Sequence, residues 1–295
     1  MLRNAQPLAG VLRRLACMGE GVMVAKSEWA KMPIRWIHEE GLVAFRSRST
    51  KPISNAFLPG WPPEADNPQL RNESLAALKL YLVLCCRADF STGMAKVTYT
   101  ELCKLGVMSR AVVARSLQRL EVAGLIKRET GALKSGSQIR IEHWNDAYGW
   151  GKIPKLWLYD GNHGRMLLLS EFNFTQLSFH AIKIFIAILA SRDRRGIATI
   201  SYDRLSACTG VPRHHIADAV TRLYDMRLIS FRPGEFHSEH AFDRTNRYLV
   251  RGFGTRWSAL EEEKPAPRSG SARQRPSPVD VASTLAFVKP AGNRA

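Results

Sequence analysis

The sequence predicts a mainly α chain with small β hairpins, an α+β class, built as two tandem units from an internal duplication. Three observations predict this. Val97 to Arg128 (VTYTELCKLGVMSRAVVARSLQRLEVAGLIKR) aligns at an offset of 103 residues with the stretch that runs from Ile200 to Phe231, just ahead of Arg232. Tyr99 meets Tyr202, Leu102 meets Leu205, Arg110 meets Arg213, and Leu125-Ile126 meets Leu228-Ile229. Self-similarity over such a stretch outweighs any single motif as evidence of architecture. Next, both copies read as a short helix, a tight turn, a second helix and the first strand of a hairpin. Finally, the apolar periodicity ends near Leu260, where EEEKPAPRSGSARQRPSPVD begins a low-complexity, disordered C-terminal tail.

The charge balance narrows the function classes. Lys and Arg number 43 against 26 Asp and Glu, giving +17 and a sequence pI near 10.1. That surplus calls for a polyanionic partner, nucleic acid or an anionic membrane surface. There is no run of about 18 apolar residues, so no membrane partner is expected and nucleic acid is the better reading. The five cysteines, Cys17, Cys85, Cys86, Cys103 and Cys208, include no C-x-x-C pair. They read as reduced core residues, hence a cytoplasmic chain with no disulfide framework and no metal.

Taken in order, residues 1–25 read as a disordered leader, with Met18 or Met23 as alternative starts. The first unit is expected over residues 26–142 and the second over 143–254, with the tail at 259–295. KMPIRWI (Lys31 to Ile37) matches KIPKLWL (Lys152 to Leu158) at an offset of 121, so each unit begins with the same lead-in, a short strand or loop. Residues 48–73 carry five prolines and read as an irregular insertion. Ser74 to Ala88 and Ser178 to Ser191 are apolar on more than one face, as buried first helices must be. Within them Ala77-Leu78-Lys79-Leu80-Tyr81 answers Ala181-Ile182-Lys183-Ile184-Phe185. Thr98 and Ser201 cap the second helices, Gly106-Val107 and Gly210-Val211 make the turns, and Ser109 or Pro212 starts the third helices. The hairpin tips are expected around Gly131 to Ser137 and after Arg232-Pro233-Gly234.

The third helix of each unit carries the chemistry. Val113, Leu117 and Leu120 form its core stripe in the first copy, which turns Arg110, Ala111, Ala114, Arg115 and Gln118 outward. Such a helix fits the DNA major groove, where arginine pairs bidentately with guanine and glutamine with adenine, and where alanines allow close approach. Lys127, Arg128, Lys134 and Arg140 follow on the hairpin, where phosphate contacts are expected. In the second copy Ile216, Val220 and Leu223 face the core, while Arg213, His214, Asp218 and Thr221 point outward and Arg232 sits on the hairpin. From Val97 to Glu142 there are eight Lys/Arg against four Glu; from Ala198 to Arg251, eight Arg against six Asp/Glu. The first copy is therefore expected to lead in binding.

These stretches resemble the winged helix-turn-helix domain of bacterial transcription regulators, on the signature S-R-x-x-V-x-R-x-L-x-x-L-x-x-x-G-L-I. Here it is carried by Ser109, Arg110, Val113, Arg115, Leu117, Leu120, Gly124, Leu125 and Ile126. The second copy departs from it at Pro212, Asp218 and Arg227. The resemblance implies a mainly α fold with small β wings, two tandem winged helix-turn-helix domains. It also implies a DNA-binding site at Ser109, Arg110, Ala111, Ala114, Arg115, Gln118, Lys127, Arg128, Lys134, Arg140, Arg213, His214, Thr221 and Arg232. The two-unit architecture also resembles plasmid replication initiators, a likeness of arrangement without a specific motif.

The expected function is thus sequence-specific binding of double-stranded DNA, as a transcriptional regulator, with replication initiation on repeated sites as the alternative. A third alternative gives the second unit to protein contacts. A homodimer and contacts with replication or transcription machinery stay open. No catalytic constellation and no cofactor are expected. His237-x-x-His240 with Asp243 is the sole metal-like cluster and reads as a solvated loop. Trp144, Trp150 and Trp157 are expected to pack within the chain.

Overall fold

The computed structural model describes residues 28–47, 67–129, 137–159, 165–233 and 245–253. The expected leader, the tail, both hairpin tips, Lys134 and the His237/His240/Asp243 cluster lie outside them. The fold is mixed α and β with small sheets. Among the described residues, no helix is long and apolar enough to cross a membrane.

The chain opens with β1 (Ala30–Pro33), α1 (Arg35–His38) and α2 (Gly41–Ala44), and then reaches the first long helix, α3 (Pro68–Arg87). α3 begins six residues before the expected Ser74, inside the stretch read as irregular. The proline that suggested irregularity is the reason: Asn67 accepts from the Leu70 N–H at 3.1 Å as N-cap, and Pro68 sits in the first turn, where a missing N–H costs nothing. β2 (Met94–Val97), α4 (Tyr99–Gly106), α5 (Arg110–Val122), β3 (Ile126–Glu129) and β4 (Ser137–Ile141) follow, with sheet order β2-β4-β3. The hairpin β3–β4 is the one expected from the sequence, whereas β2, the third strand of the sheet, is an addition to it.

The second half runs through β5 (Trp150–Ile153), α6 (Lys155–Leu158), α7 (Leu167–Ser170) and α8 (Gln176–Ala190). Then come β6 (Ile197–Ser201), α9 (Tyr202–Thr209), a 3-10 turn at Arg213–His215, α10 (Ile216–Asp225), β7 (Ile229–Arg232) and β8 (Thr245–Val250), with sheet order β6-β8-β7. The order helix, strand, helix, helix, strand, strand thus occurs twice, with the same sheet order.

The matching lead-in segments do more than begin each half: they pair with each other. β1 and β5 form an antiparallel ladder in which Lys31 lies opposite Lys152, flanked by Ala30 opposite Ile153 and Met32 opposite Gly151. Since Lys31 and Lys152 are also the matched positions of the two segments, the pairing is reciprocal about that point, as in an isologous contact. Gly151 is needed there because a Cβ would meet the Leu189 carbonyl oxygen at 2.8 Å.

Beyond the ladder each lead-in arm packs on the opposite half. α2 lies against α9, where Gly210 approaches Val43, and the Met166 N–H ahead of α7 donates to the Leu105 carbonyl of α4 at 3.2 Å. The two central helices, α3 and α8, touch directly and are buried from Ser74 to Cys86 and from Ser178 to Ala190. Each carries one buried lysine whose ammonium reaches the arm of the other half. Lys79 donates to the Phe172 carbonyl at 3.4 Å and Lys183 to the Phe45 carbonyl at 3.0 Å. One contiguous apolar cluster, from Met32 and Phe45 through α3 and α8 to Tyr248, serves both halves.

Candidate nucleic-acid interface

The helix pair α4–α5 is fixed at its starts by hydroxyl caps. The Thr98 hydroxyl accepts from the Glu101 N–H at 3.1 Å, and Ser109 accepts from the Val112 N–H at 3.4 Å. Each cap satisfies one of the N–H groups that a helix start leaves without an internal partner. Glu101 does not return the bond to Thr98; it pairs with Arg87 of α3 instead. The turn between the helices is made by Val107, with φ 52° and ψ 53°, and not by Gly106, which ends α4. In the second half the same left-handed place belongs to Gly210.

On α5 the apolar stripe is placed as expected: Val113, Leu117 and Leu120 are fully buried beneath the helix. Arg110, Ala111, Ala114, Arg115 and Gln118 all lie exposed on the other side. Arg110 rests over the Tyr99 ring at 5.3 Å, which steadies a long side chain at the start of the helix. Arg115 makes a loose pair with Glu73 at 3.7 Å across a wet surface, a contact of little energy that a stronger anion would replace. Arg119 turns the other way, half-buried over the Phe45 ring, and burial lowers its pKa.

The sheet beside α5 presents a second charged surface. Lys127 of β3 lies directly opposite Arg140 of β4, and Lys96 of β2 is exposed on the same face, opposite Gln138. Like charges face to face across a ladder are destabilising unless an anion relieves them. Two glutamates already engage part of this charge. Arg128 is held in two bonds by Glu121, whose carboxyl drops below its usual range for that reason, and Arg140 is paired with Glu129. Lys127 and Lys96 therefore remain the less committed cations of the sheet. Lys96 was missed from the sequence because the strand that carries it was missed; the alternation Met94, Ala95, Lys96, Val97, with Ala95 and Val97 buried, was its signal.

The second half builds the same frame with different chemistry. Ser201 caps α9 by accepting from the Arg204 N–H at 3.2 Å. Pro212 offers no hydroxyl, and the chain enters a 3-10 turn there, with the His215 N–H bonded to the Pro212 carbonyl at 2.9 Å. Consequently α10 starts only at Ile216 and is shorter than the helix expected to start at Pro212. Ile216, Val220 and Leu223 are buried, and Arg213, His214, Asp218 and Thr221 are exposed. Arg213 is paired with Asp203 at 2.8 Å, and the His214 ring packs on that of His215 at 4.0 Å. On the sheet, Arg232 lies opposite Arg247, a cation that the sequence reading left out. Asp218 occupies the place that Arg115 holds in the first half, so the exposed face of α10 is the less positive of the two.

The cysteines stand as small apolar side chains: Cys85 and Cys86 are buried, Cys103 and Cys208 partly so, and all four are free. Burial raises the Cys85 and Cys86 thiols well above the ordinary range, the latter to about 12, so neither is a ready nucleophile. Of Trp144, Trp150 and Trp157, only the first is buried; the other two are partly exposed, though each has a partner within the chain. Trp144 is buried and donates to the Phe90 carbonyl at 2.8 Å, Trp150 stacks on Trp29 at 4.9 Å, and Trp157 donates to the Arg227 carbonyl at 3.0 Å. Among the described residues, no cluster of three or more His, Cys, Asp or Glu is placed to hold a metal ion.

Comparison of the chain with family models, with curated proteins and with solved structures found no match.

Proposed function

We propose that each half is a winged helix-turn-helix and that the chain binds double-stranded DNA in a sequence-specific way, with α5 in the major groove. The observation that carries this reading is the exposed row Arg110, Ala111, Ala114, Arg115 and Gln118 on a hydroxyl-capped helix, beside a sheet that sets Lys127 opposite Arg140. Arginine and glutamine supply the bidentate donors that distinguish guanine and adenine in the groove. The sheet cations supply the phosphate contacts that set register. A net charge of +17 supports the same partner through counterion release. In this reading Ser109, Lys127, Arg128 and Arg140 line the backbone side of the first half, with Lys134 of the hairpin tip expected from the sequence to add to them, while Arg213, His214, Thr221 and Arg232 form a weaker second footing.

The role we propose is transcriptional regulation. Replication initiation on repeated sites is the second reading, and one feature favours it. The β1–β5 ladder and the exchanged arms give one chain two linked heads, so a single molecule could engage a site without a partner copy. Footprinting on the DNA upstream of the chain's own coding region separates the two. One protected palindrome supports the regulator, a protected series of direct repeats supports the initiator, and absence of protection at any concentration contradicts specific binding there.

A further inference from the structure

The arm that the first half sends across to the second ends over a cavity of ≈ 310 Å³ between α8 and the start of α10. Its polar lining is Arg46 and Ser47 from the arm, Gln176, His180 and Lys183 from α8, and His215 at the 3-10 turn. None of the described residues lining it is acidic. Lys183 is only 3% exposed and His180 only 4%, so a cation is buried here with one carbonyl, that of Phe45, as its named acceptor. A buried ammonium without a carboxylate is costly, and an ammonium has three donors to place. His180 and His215 lie ring to ring at 5.1 Å, and the Gln176 side-chain oxygen is buried with no hydrogen-bond partner.

The equivalent cavity of the first half, ≈ 380 Å³ beside α3 and α5, is built otherwise. There Glu73 and Arg115 offset each other, and no lysine or histidine lines the space. Among the described residues, the positive lining thus belongs to the cavity beside α8 and α10 and not to its counterpart beside α3 and α5, and it lies on the half whose outer helix face is the poorer match to DNA.

We propose that the cavity at Lys183 is a binding site for a small oxyanion, a phosphate ester or a carboxylate. Lys183 and Arg46 would supply its counter-charge, His215 and Ser47 its donors, and Gln176 would accept from a protonated ligand oxygen. The burial of Lys183 and His180 puts the site below the reach of a duplex backbone, and the volume suits a small molecule. An occupant would tie the first half's arm to the start of α10, and so bear on how the second half is presented. Bringing an anion to Lys183 must also favour its charged form, so binding near neutral pH takes up a proton.

Isothermal titration of the full chain with inorganic phosphate, and separately with citrate, at constant ionic strength set by sodium chloride, tests the site. Saturable binding with net proton uptake between two buffers of different ionisation enthalpy is expected, weakened about tenfold or more in Lys183→Met and in the exposed-site variant Arg46→Gln. The stronger of the two titrants identifies the ligand class. Heats that fail to saturate, or that survive both substitutions unchanged, overturn the site. Loss of phosphate binding in the presence of any saturating duplex, whatever its sequence, assigns the pocket to DNA phosphate and overturns the small-ligand proposal.

Discussion

Lys183 Nζ lies 3.0 Å from the carbonyl oxygen of Phe45, a residue 138 positions away in the chain, and Lys79 makes the reciprocal bond to Phe172. These two bonds explain why lysines sit in the middle of the most apolar helices. Each satisfies a backbone carbonyl that the crossing arm would otherwise bury without a partner, a group whose neglect costs more than the bond itself returns.

The same burial makes the lysines responsive to pH. It lowers Lys79 to about 8 and Lys183 to about 7, from 10.5 in the unfolded chain. The unfolded state therefore binds more protons than the native state between those values. The lysines' contribution to stability is least below pH 7 and rises as pH climbs towards 10. Cys85, Cys86, Tyr81 and Tyr248, all raised by burial, oppose this trend because they lose stability in the alkaline range. The informative quantity is thus a difference. Urea unfolding of Lys79→Met and Lys183→Met at pH 7 and pH 9.5 should show that the stability of the wild type relative to each variant improves at the higher pH. A difference that does not change with pH contradicts the assignment.

A shared core implies shared unfolding. Phe172 is fully buried and its carbonyl is held by α3 of the other half. Phe172→Ala should cost about 3–5 kcal/mol, the usual range for emptying an aromatic core site. Because its loss loosens both halves, fluorescence of the first-half Trp36 and far-ultraviolet circular dichroism should report one coincident transition. Two separated transitions would mean that the halves are independent domains.

Val107 holds a left-handed conformation that a β-branched side chain rarely adopts, and its side chain is largely exposed. Val107→Gly should raise stability by up to about 1 kcal/mol, since it removes the Cβ clash at the cost of some unfolded-state entropy. Thermal melts read this directly, and destabilisation would show that Val107 packs in a way the backbone conformation does not reveal.

On the sheet, Lys127→Ala should weaken binding to all duplexes alike and reduce the salt slope by about 1, as loss of one phosphate contact does. Glu129→Gln should do the opposite, because it releases Arg140. Affinities across a salt series check both signs.

Much of this arrangement was legible in the sequence because it depends on local patterns. The core stripe Val113, Leu117 and Leu120, the caps Thr98, Ser109 and Ser201, and the exposed Arg110, Arg115 and Gln118 all follow from helical spacing and cap chemistry. What escaped was set by partners distant in sequence. Pro68 read as a breaker because the helix it opens is stabilised by packing on α5 and α8. Lys96 escaped because a four-residue strand is recognisable only beside the strand it pairs with, whereas Arg247 lies on the expected return strand and gains meaning only from the register that sets it opposite Arg232. The match of KMPIRWI with KIPKLWL was visible, but nothing local says that two matching segments pair with each other. The late start of α10 traces to one residue, Pro212, whose lack of a capping hydroxyl leaves room for a 3-10 turn.

The most direct test of the account is selection of bound duplexes from a random-sequence pool by the wild-type chain and by Arg115→Ala. The wild type should enrich one motif, and Arg115→Ala should relax preference at a single base pair by about 1–3 kcal/mol while keeping the rest of the motif. No enriched motif, or the same motif and the same preferences from both proteins, would contradict base reading by α5.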